Sequence, residues 1–179
     1  MNEFVVLKIT GAALVLTASS FMGLYMGNLS KSRIKSLREL QNSWLLAEGE
    51  IRFGISSLPE VFKNIAAMNR DGNIKAFYES MYGNMEAPDA KESFEAIWDR
   101  AVREKLAGSC LTGDDCRLVS EFGSIPLHLD TDMQLQFIER MLQQLESVIA
   151  QAQNELSAKC RIYRCAGAAA GIFLVLALI

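Results

Sequence analysis

The chain has 179 residues, of which half are hydrophobic and 22% are charged, and its formal net charge is −3 at pH 7. This length favours one domain with short appendages. The negative net charge argues against a general nucleic-acid-binding protein, which needs a basic face. The single histidine, His128, limits acid–base and metal chemistry from the outset.

A long uncharged stretch, Ile9–Ser30, lies near the N-terminus. As a helix it would be about 33 Å long, which is enough to cross a hydrocarbon core of about 30 Å. The alternative is a cleaved signal peptide, which needs a more basic start than Lys8 alone and a small-residue cleavage site. Because no such site closes the stretch, we expect a retained membrane span within residues 1–30.

A second uncharged stretch covers Cys165–Ile179. As a helix it is about 22 Å long, which is short of a full crossing. Residues 162–164 lengthen it if Arg161 and Arg164 extend their side chains to the lipid headgroups. The alternative is a buried core helix, but the basic residues before the stretch favour a second span over residues 163–179.

Basic residues flank both predicted spans on the side that faces the middle of the chain: Lys31, Arg33, Lys35 and Arg38 after the first, and Lys159, Arg161 and Arg164 before the second. Positive residues near span ends remain cytoplasmic. The sequence therefore predicts a cytoplasmic region over residues 31–162, with both termini outside.

Each predicted span carries two glycines four residues apart, which are Gly23 and Gly27 in the first and Gly167 and Gly171 in the second. This spacing lets helix backbones approach closely in lipid. We expect the two spans to pack against each other or against a partner span.

The region between the spans predicts helices almost throughout, because apolar residues recur every three or four positions. The stripe over residues 31–55 consists of Ile34, Leu37, Leu40, Trp44, Ala47, Ile51 and Ile55. A capping box formed by Ser57 and Glu60, with Pro59 between them, starts the next helix over residues 58–69. A short helix over residues 74–82 follows, with Ile74, Phe77 and Met81 in line.

Three further helices complete the prediction. Pro88-Asp89 starts one whose apolar face includes Trp98. Thr112 and Asp115 are candidate capping partners of the next. The segment "DTDMQ" opens a long last helix with the stripe Phe137, Met141, Leu145, Val148, Ala152 and Leu156. We therefore predict an all-α fold, a cytoplasmic bundle of about six helices between two transmembrane helices.

The residues that carry chemistry in other proteins are sparse. The four cysteines, Cys110, Cys116, Cys160 and Cys165, do not have the spacing of zinc ligands. No disulfide framework is implied, which fits a reducing compartment. Because the sequence has no phosphate loop, nucleophile motif or histidine dyad, we expect no catalysis, no metal and no cofactor.

Four motifs follow one another along the chain. The first is "GEIRFGISSLPEVF", with Glu50, Ile51, Gly54, Leu58, Pro59 and Glu60, and the second is "EAIWDRAV" around Trp98. The third consists of Phe122, Gly123, Asp130 and Gln134. The last consists of Tyr163, Arg164, Gly167 and Gly171. In this order, with a span at each end, they resemble the stage III sporulation protein AB family along essentially the whole chain. Two positions depart from the family pattern, Ser57 and Pro126-Leu127, and both lie at helix junctions.

The resemblance implies a function. The cytoplasmic region of that family is similar to the helical domain of the inner-membrane platform proteins of type II secretion and type IV pilus machines. It implies a platform subunit of a secretion-like channel between mother cell and forespore, in the mother-cell membrane around the forespore. The implied partners are a secretion-type ATPase, other channel subunits and membrane lipid, with no nucleic acid; a homo-oligomer is also open. The alternatives are a membrane-anchored adaptor for a soluble signalling partner and an enzyme subunit without its own active site.

A platform must offer its ATPase a surface away from lipid, so the helix junctions are the candidate contact region. The candidate residues are Glu50, Gly54, Pro59, Glu60, Phe122, Gly123, Asp130 and Gln134. The alternative is that these junctions are capped turns with no further role, because capping alone accounts for Glu60 and Asp130.

Overall fold

The computed structural model describes residues 2–54, 57–86, 92–124 and 131–178. Over these ranges the chain forms helices and no strand, so the all-α prediction is confirmed for them. The α-helices are α1 Asn2–Phe53, α2 Leu58–Met68, α3 Gly72–Glu86, α4 Phe94–Ala101, α5 Gly113–Glu121 and α6 Thr131–Leu178. A π-helix, Val102–Leu106, continues α4, and a short 3₁₀-helix, Phe122–Ser124, continues α5.

The chain divides into two compact units. One is Arg33–Ala150, called the helical domain below; the other consists of Met1–Ser32 and Gln151–Ile179. In the second unit the structure describes helical backbone, and side chains only for residues 28–32, 151–158 and 162. The side chains of most of the two predicted spans thus lie outside the described residues. Within the described part of the chain, no helix is both long and apolar enough to cross a membrane. The two spans stay predictions of the sequence.

The core of the helical domain is built on the apolar face of α1. Its predicted stripe is confirmed from Ile34 to Ala47, where every member is buried, while Ile51 is partly exposed. The stripe of α6 was predicted correctly at Met141, Leu145 and Ala152, which are also buried.

Three positions of the predicted α6 stripe, Phe137, Val148 and Leu156, are only partly buried. Ile138 and Ile149 are buried, whereas their neighbours Phe137 and Val148 are only half-buried. Adjacent apolar residues on a helix differ in direction by about 100°, so the rest of the core decides which of the two turns inwards.

Two short helices begin at the caps that the sequence predicts. The backbone N–H of Ser57 donates to Glu60 Oε2 at 3.2 Å at the start of α2, where Pro59 stands in the first turn. At the start of α5, Asp115 N–H donates to Thr112 Oγ1 at 3.3 Å, and Thr112 N–H donates to Asp115 Oδ2 at 2.8 Å. These pairs satisfy backbone donors that have no partner inside the helix.

The start of α4 differs from the prediction. Pro88 and Asp89 lie outside the described residues, and the N-cap of α4 is Ser93, whose Oγ accepts from Ala96 N–H at 3.3 Å. Serine is among the preferred N-cap residues, so it competes with proline as the start signal. The π-helix that follows was not predicted at all, since its apolar residues have ordinary helical spacing.

Aromatic rings fill the centre of the domain around Trp98, which is fully buried. Phe77 packs edge-to-face on it with ring centroids 4.9 Å apart, and Trp44 lies 5.8 Å away. The indole Nε1 donates to the backbone oxygen of Val119 at 2.7 Å. Because the N–H is satisfied and the rings interlock, Trp98 joins α1, α3, α4 and α5 in one core.

A buried ion pair links the beginning of the domain to α5. Arg33 Nε donates to Asp115 Oδ2 at 2.7 Å, and Nη2 donates to Oδ1 at 2.8 Å. The Asp115 side chain is only 2% exposed. Burial by itself raises the pKa of Asp115, but the hydrogen bonds from Arg33 and from Thr112 outweigh it, so the pKa lies below its usual value.

Gly123→Ala should destabilise the domain. A Cβ at position 123 would lie 2.4 Å from Trp98 Cδ1, so the buried indole must move. We expect urea unfolding, followed by tryptophan fluorescence, to give a free energy of unfolding lower by about 1–3 kcal/mol. The control is Gly83→Ala in α3, where nothing lies within 4 Å of the added Cβ; it should leave stability unchanged or raise it. Equal effects of the two changes would contradict the packing argument.

Asp115→Asn should destabilise the domain at neutral pH by about 3 kcal/mol, because it removes the negatively charged member of the Arg33–Asp115 ion pair from a buried position. The lowered pKa means that the carboxylate contributes stability above its unfolded pKa of about 3.9, and that this contribution is lost as pH falls through the folded pKa. The difference in unfolding free energy between wild type and variant should therefore shrink on acidification. Asp114→Asn, which changes the neighbouring exposed carboxylate, is the matched control and should have little effect. A constant difference at all pH values would refute this assignment.

Candidate partner-binding site

An apolar groove of about 390 Å³ opens in the helical domain where α1 ends and α2 and α6 begin. Its described lining is Trp44, Ala47, Ile51, Gly54, Leu58, Val61, Phe62, Met85, Phe94, Thr131 and Gln134. The volume is within the range of about 300–1,000 Å³ that is usual for ligand-binding sites. We call this feature the junction groove.

The local sequence explains why the chain turns here. Gly54 has φ +60°, a left-handed conformation that glycine adopts without steric cost and that ends α1. The Ser57–Glu60 cap and Pro59 then start α2. The partly exposed Ile51 and Leu58 therefore face the groove from either side of the turn.

Two large apolar side chains that directly precede groove-lining residues in the sequence are exposed. Phe53 is 73% exposed and Met133 is 53% exposed. They precede Gly54 and Gln134, which line the groove. Exposed apolar surface beside an apolar groove is typical of interaction sites.

Glu50 is a polar residue next to the groove residue Ile51 in the sequence, and on α1 it lies close to the face that carries Ala47 and Gly54. Its Oε2 atom is buried and has no hydrogen-bond partner, and the same is true of Trp44 Nε1. An unpaired buried polar atom costs about 1–3 kcal/mol. Glu50 is therefore a position at which a partner's donor would be favourable.

The structure separates the predicted contact residues into three groups. Gly54 and Gln134 line the groove, and Glu50, Pro59 and Glu60 lie next to lining residues in the sequence. Phe122 and Gly123 are buried beneath Trp44 and Trp98, where a partner cannot reach them without opening the core. Asp130 lies outside the described residues, as do the side-chain surroundings of Gly23, Gly27, Gly167 and Gly171. A partner contact for the accessible residues stays a prediction.

Sequence reasoning missed the groove residue Met85, and it missed the exposed Phe53 and Met133, which directly precede lining residues. Phe53 and Met133 lie off the apolar stripes of α1 and α6, and this departure from periodicity is the signal that could have marked them. Met85 belongs to the last turn of α3, which extends beyond the predicted end at residue 82.

The described residues offer little for catalysis or metal binding. They contain no group of three or more His, Cys, Asp or Glu side chains that could hold a metal ion. Cys110 is exposed and Cys116 partly buried. Burial, and then the charge of Asp115, raise the pKa of the Cys116 thiol, which makes it a weaker nucleophile.

Comparison with known proteins gives consistent matches. The family model described as stage III sporulation protein AB matches residues 8–179. Stage III sporulation protein AB of Bacillus subtilis (strain 168) is 21% identical over 173 residues, which is 96% of this chain and 99% of the relative. A solved structure of stage III sporulation protein AB has a TM-score of 0.62 at 18% identity, covering 70% of this chain and 97% of that chain. At this identity the structural match shows the fold alone.

Proposed function

The chain belongs to the stage III sporulation protein AB family, and from this premise we propose that it is a membrane platform subunit of a secretion-like channel in the sporulating cell. Membership of the family places it in stage III of sporulation. The proposed role is to hold a cytoplasmic secretion-type ATPase and the channel subunits together at the mother-cell membrane around the forespore. In this role the chain has no catalysis of its own.

The observation that carries this proposal is the junction groove. A platform subunit works through protein contacts, and the helical domain offers an apolar groove, with the exposed Phe53 and Met133 directly before two of its lining residues in the sequence. The groove is formed by the C-terminal end of α1 and the N-terminal end of α6. These are the ends that do not carry the apolar stretches, so an ATPase in the cytoplasm can use them.

The proposed two-pass topology rests on the sequence. The stretches Ile9–Ser30 and Cys165–Ile179 are uncharged, and the basic clusters beside them face residues 31–162. Both predicted spans belong to helices that extend into the helical domain, α1 and α6. The proposed arrangement is a membrane hairpin with the helical domain in the cytoplasm.

Co-purification tests the platform role. A tagged chain from sporulating cells should bring down a secretion-type ATPase and channel subunits in fixed stoichiometry. An adaptor would instead bring down one soluble signalling protein without the channel, and that result would overturn the platform proposal. A parallel preparation of Asp115→Asn, which weakens the fold, serves as the control for non-specific capture.

Thiol labelling tests the topology. In growing cells that express the chain with Cys110 as its one cysteine, a membrane-impermeant maleimide should react only after permeabilisation, because the exposed Cys110 belongs to the helical domain. The matched chain has Asn2→Cys and no other cysteine, and it should react in intact cells. Labelling of Cys110 in intact cells would contradict the topology.

A further inference from the structure

The junction groove has the charge pattern of a site for a basic partner. Two helices end beside it, α1 and α3, and the C-terminal end of a helix carries partial negative charge. Glu50 lies in the last turn of α1, and Glu86 ends α3 next to the groove residue Met85. Carboxylates at these ends are unfavourable in the field of the helix dipole, so helix capping does not account for them.

Other acidic residues near the groove have an ordinary structural role. Glu60 and Asp132 stand in the first turns of α2 and α6, where they offset the positive end of the helix. Of the nearby basic side chains, Arg52 pairs with Glu48, and Lys63 lies over the Tyr82 ring. Lys63 keeps its positive charge over the neutral ring, but the two carboxylates Glu50 and Glu86 outweigh it, so the net charge near the groove is negative.

The buried atom of Glu50 strengthens this inference. Its Oε2 lacks a hydrogen-bond partner, whereas Glu86 accepts a hydrogen bond from Tyr82. If the partly exposed Glu50 side chain turns towards a partner, an ammonium or guanidinium group on that partner would supply the missing donor as a charge-assisted hydrogen bond. The apolar lining requires hydrophobic anchors from the same partner.

We propose that the junction groove binds an amphipathic helix with lysine or arginine flanks, supplied by another protein of the assembly. The helix lays apolar side chains, spaced three and four residues apart, against Ile51, Leu58 and Phe62. Its basic flanks lie against Glu50 and Glu86. This deepens the proposed function and rests on it, because a platform subunit needs such a contact.

Site-specific photo-crosslinking in sporulating cells tests the proposal. The full chain carries p-benzoylphenylalanine in place of Phe53 or Met133, and the crosslinked peptide is identified by mass spectrometry. The control position is Met68, which is 70% exposed in α2 and neither lines the groove nor adjoins a lining residue in the sequence. We expect crosslinks from positions 53 and 133 to one segment of another protein, with net positive charge and helical apolar spacing, and no such crosslink from position 68.

Charge reversal gives the second readout. Glu50→Lys and Glu86→Lys should each reduce the crosslinked product by about tenfold, because a repulsive charge replaces an attractive one. Glu146→Lys, at an exposed position on α6, is the matched control and should not change the yield. The melting temperature should not fall in Glu50→Lys and Glu86→Lys, because lysine at a helix C-terminus is favourable, nor in Glu146→Lys, which changes an exposed position.

Several results would overturn the proposal. One is a crosslink within the same chain or to a second copy, and another is the absence of any crosslinked product. A captured segment that is neutral or acidic would also overturn it. So would a crosslinking yield that stays unchanged in Glu50→Lys and Glu86→Lys. If the ATPase and channel subunits still co-purify, such a result rejects this use of the groove and leaves the platform role intact. In the converse outcome, a basic helix is crosslinked at the groove while the ATPase and channel subunits do not co-purify. That result supports the proposed use of the groove and rejects the platform role.

Discussion

The helical domain depends on polar contacts between α1 and the starts and ends of the short helices. Three side chains of α1 face the core side and each bonds to a residue at the junction of another helix: Arg33 to Asp115, Ser36 to Asp71, and Ser43 to Asn69. Asp115 caps α5 and Asp71 accepts from the first backbone N–H groups of α3. Each of these partner residues also lies at an end of its own helix, where backbone groups lack partners inside the helix. The contacts with α1 therefore fix where α2, α3 and α5 begin or end, and which face each of them buries.

The junction groove follows from the same arrangement. The short helices pack against α1 as far as Trp44 and Ala47, which are buried, while the last turn of α1 emerges partly exposed. Gly54, with φ +60°, ends α1, and residues of α2 and of the start of α6 line the groove from the other elements. The proposed partner contact is thus a consequence of how the long helix ends, and the acidic residues at the helix C-termini give it a preference for basic partners.

The sequence predicts best where one short segment contains the whole cause. The Ser57–Glu60 and Thr112–Asp115 caps lie within three residues, so spacing alone identifies them. The candidate site was predicted only in part. Gly54 and Gln134 line the groove, but Phe122 and Gly123 lie in the core. The prediction failed for this pair because a Phe-Gly pair after a helix can form either an exposed turn or a close contact with a tryptophan. Nothing local in the sequence distinguishes the two.

By itself, the sequence determined the helical class, the α1 stripe, the caps and the family, because these rest on periodicity, short spacing and motif order. Only the tertiary structure decided the pairs that are distant along the chain. Arg33 has the sequence signature of a basic residue flanking a span, yet it forms an ion pair with Asp115, 82 positions away. Likewise, the burial of Ile138 rather than its neighbour Phe137 depends on surfaces from several helices. The same is true of the aromatic rings that pack around Trp98. Such contacts form only when the helices pack, so no single stretch of the chain contains them.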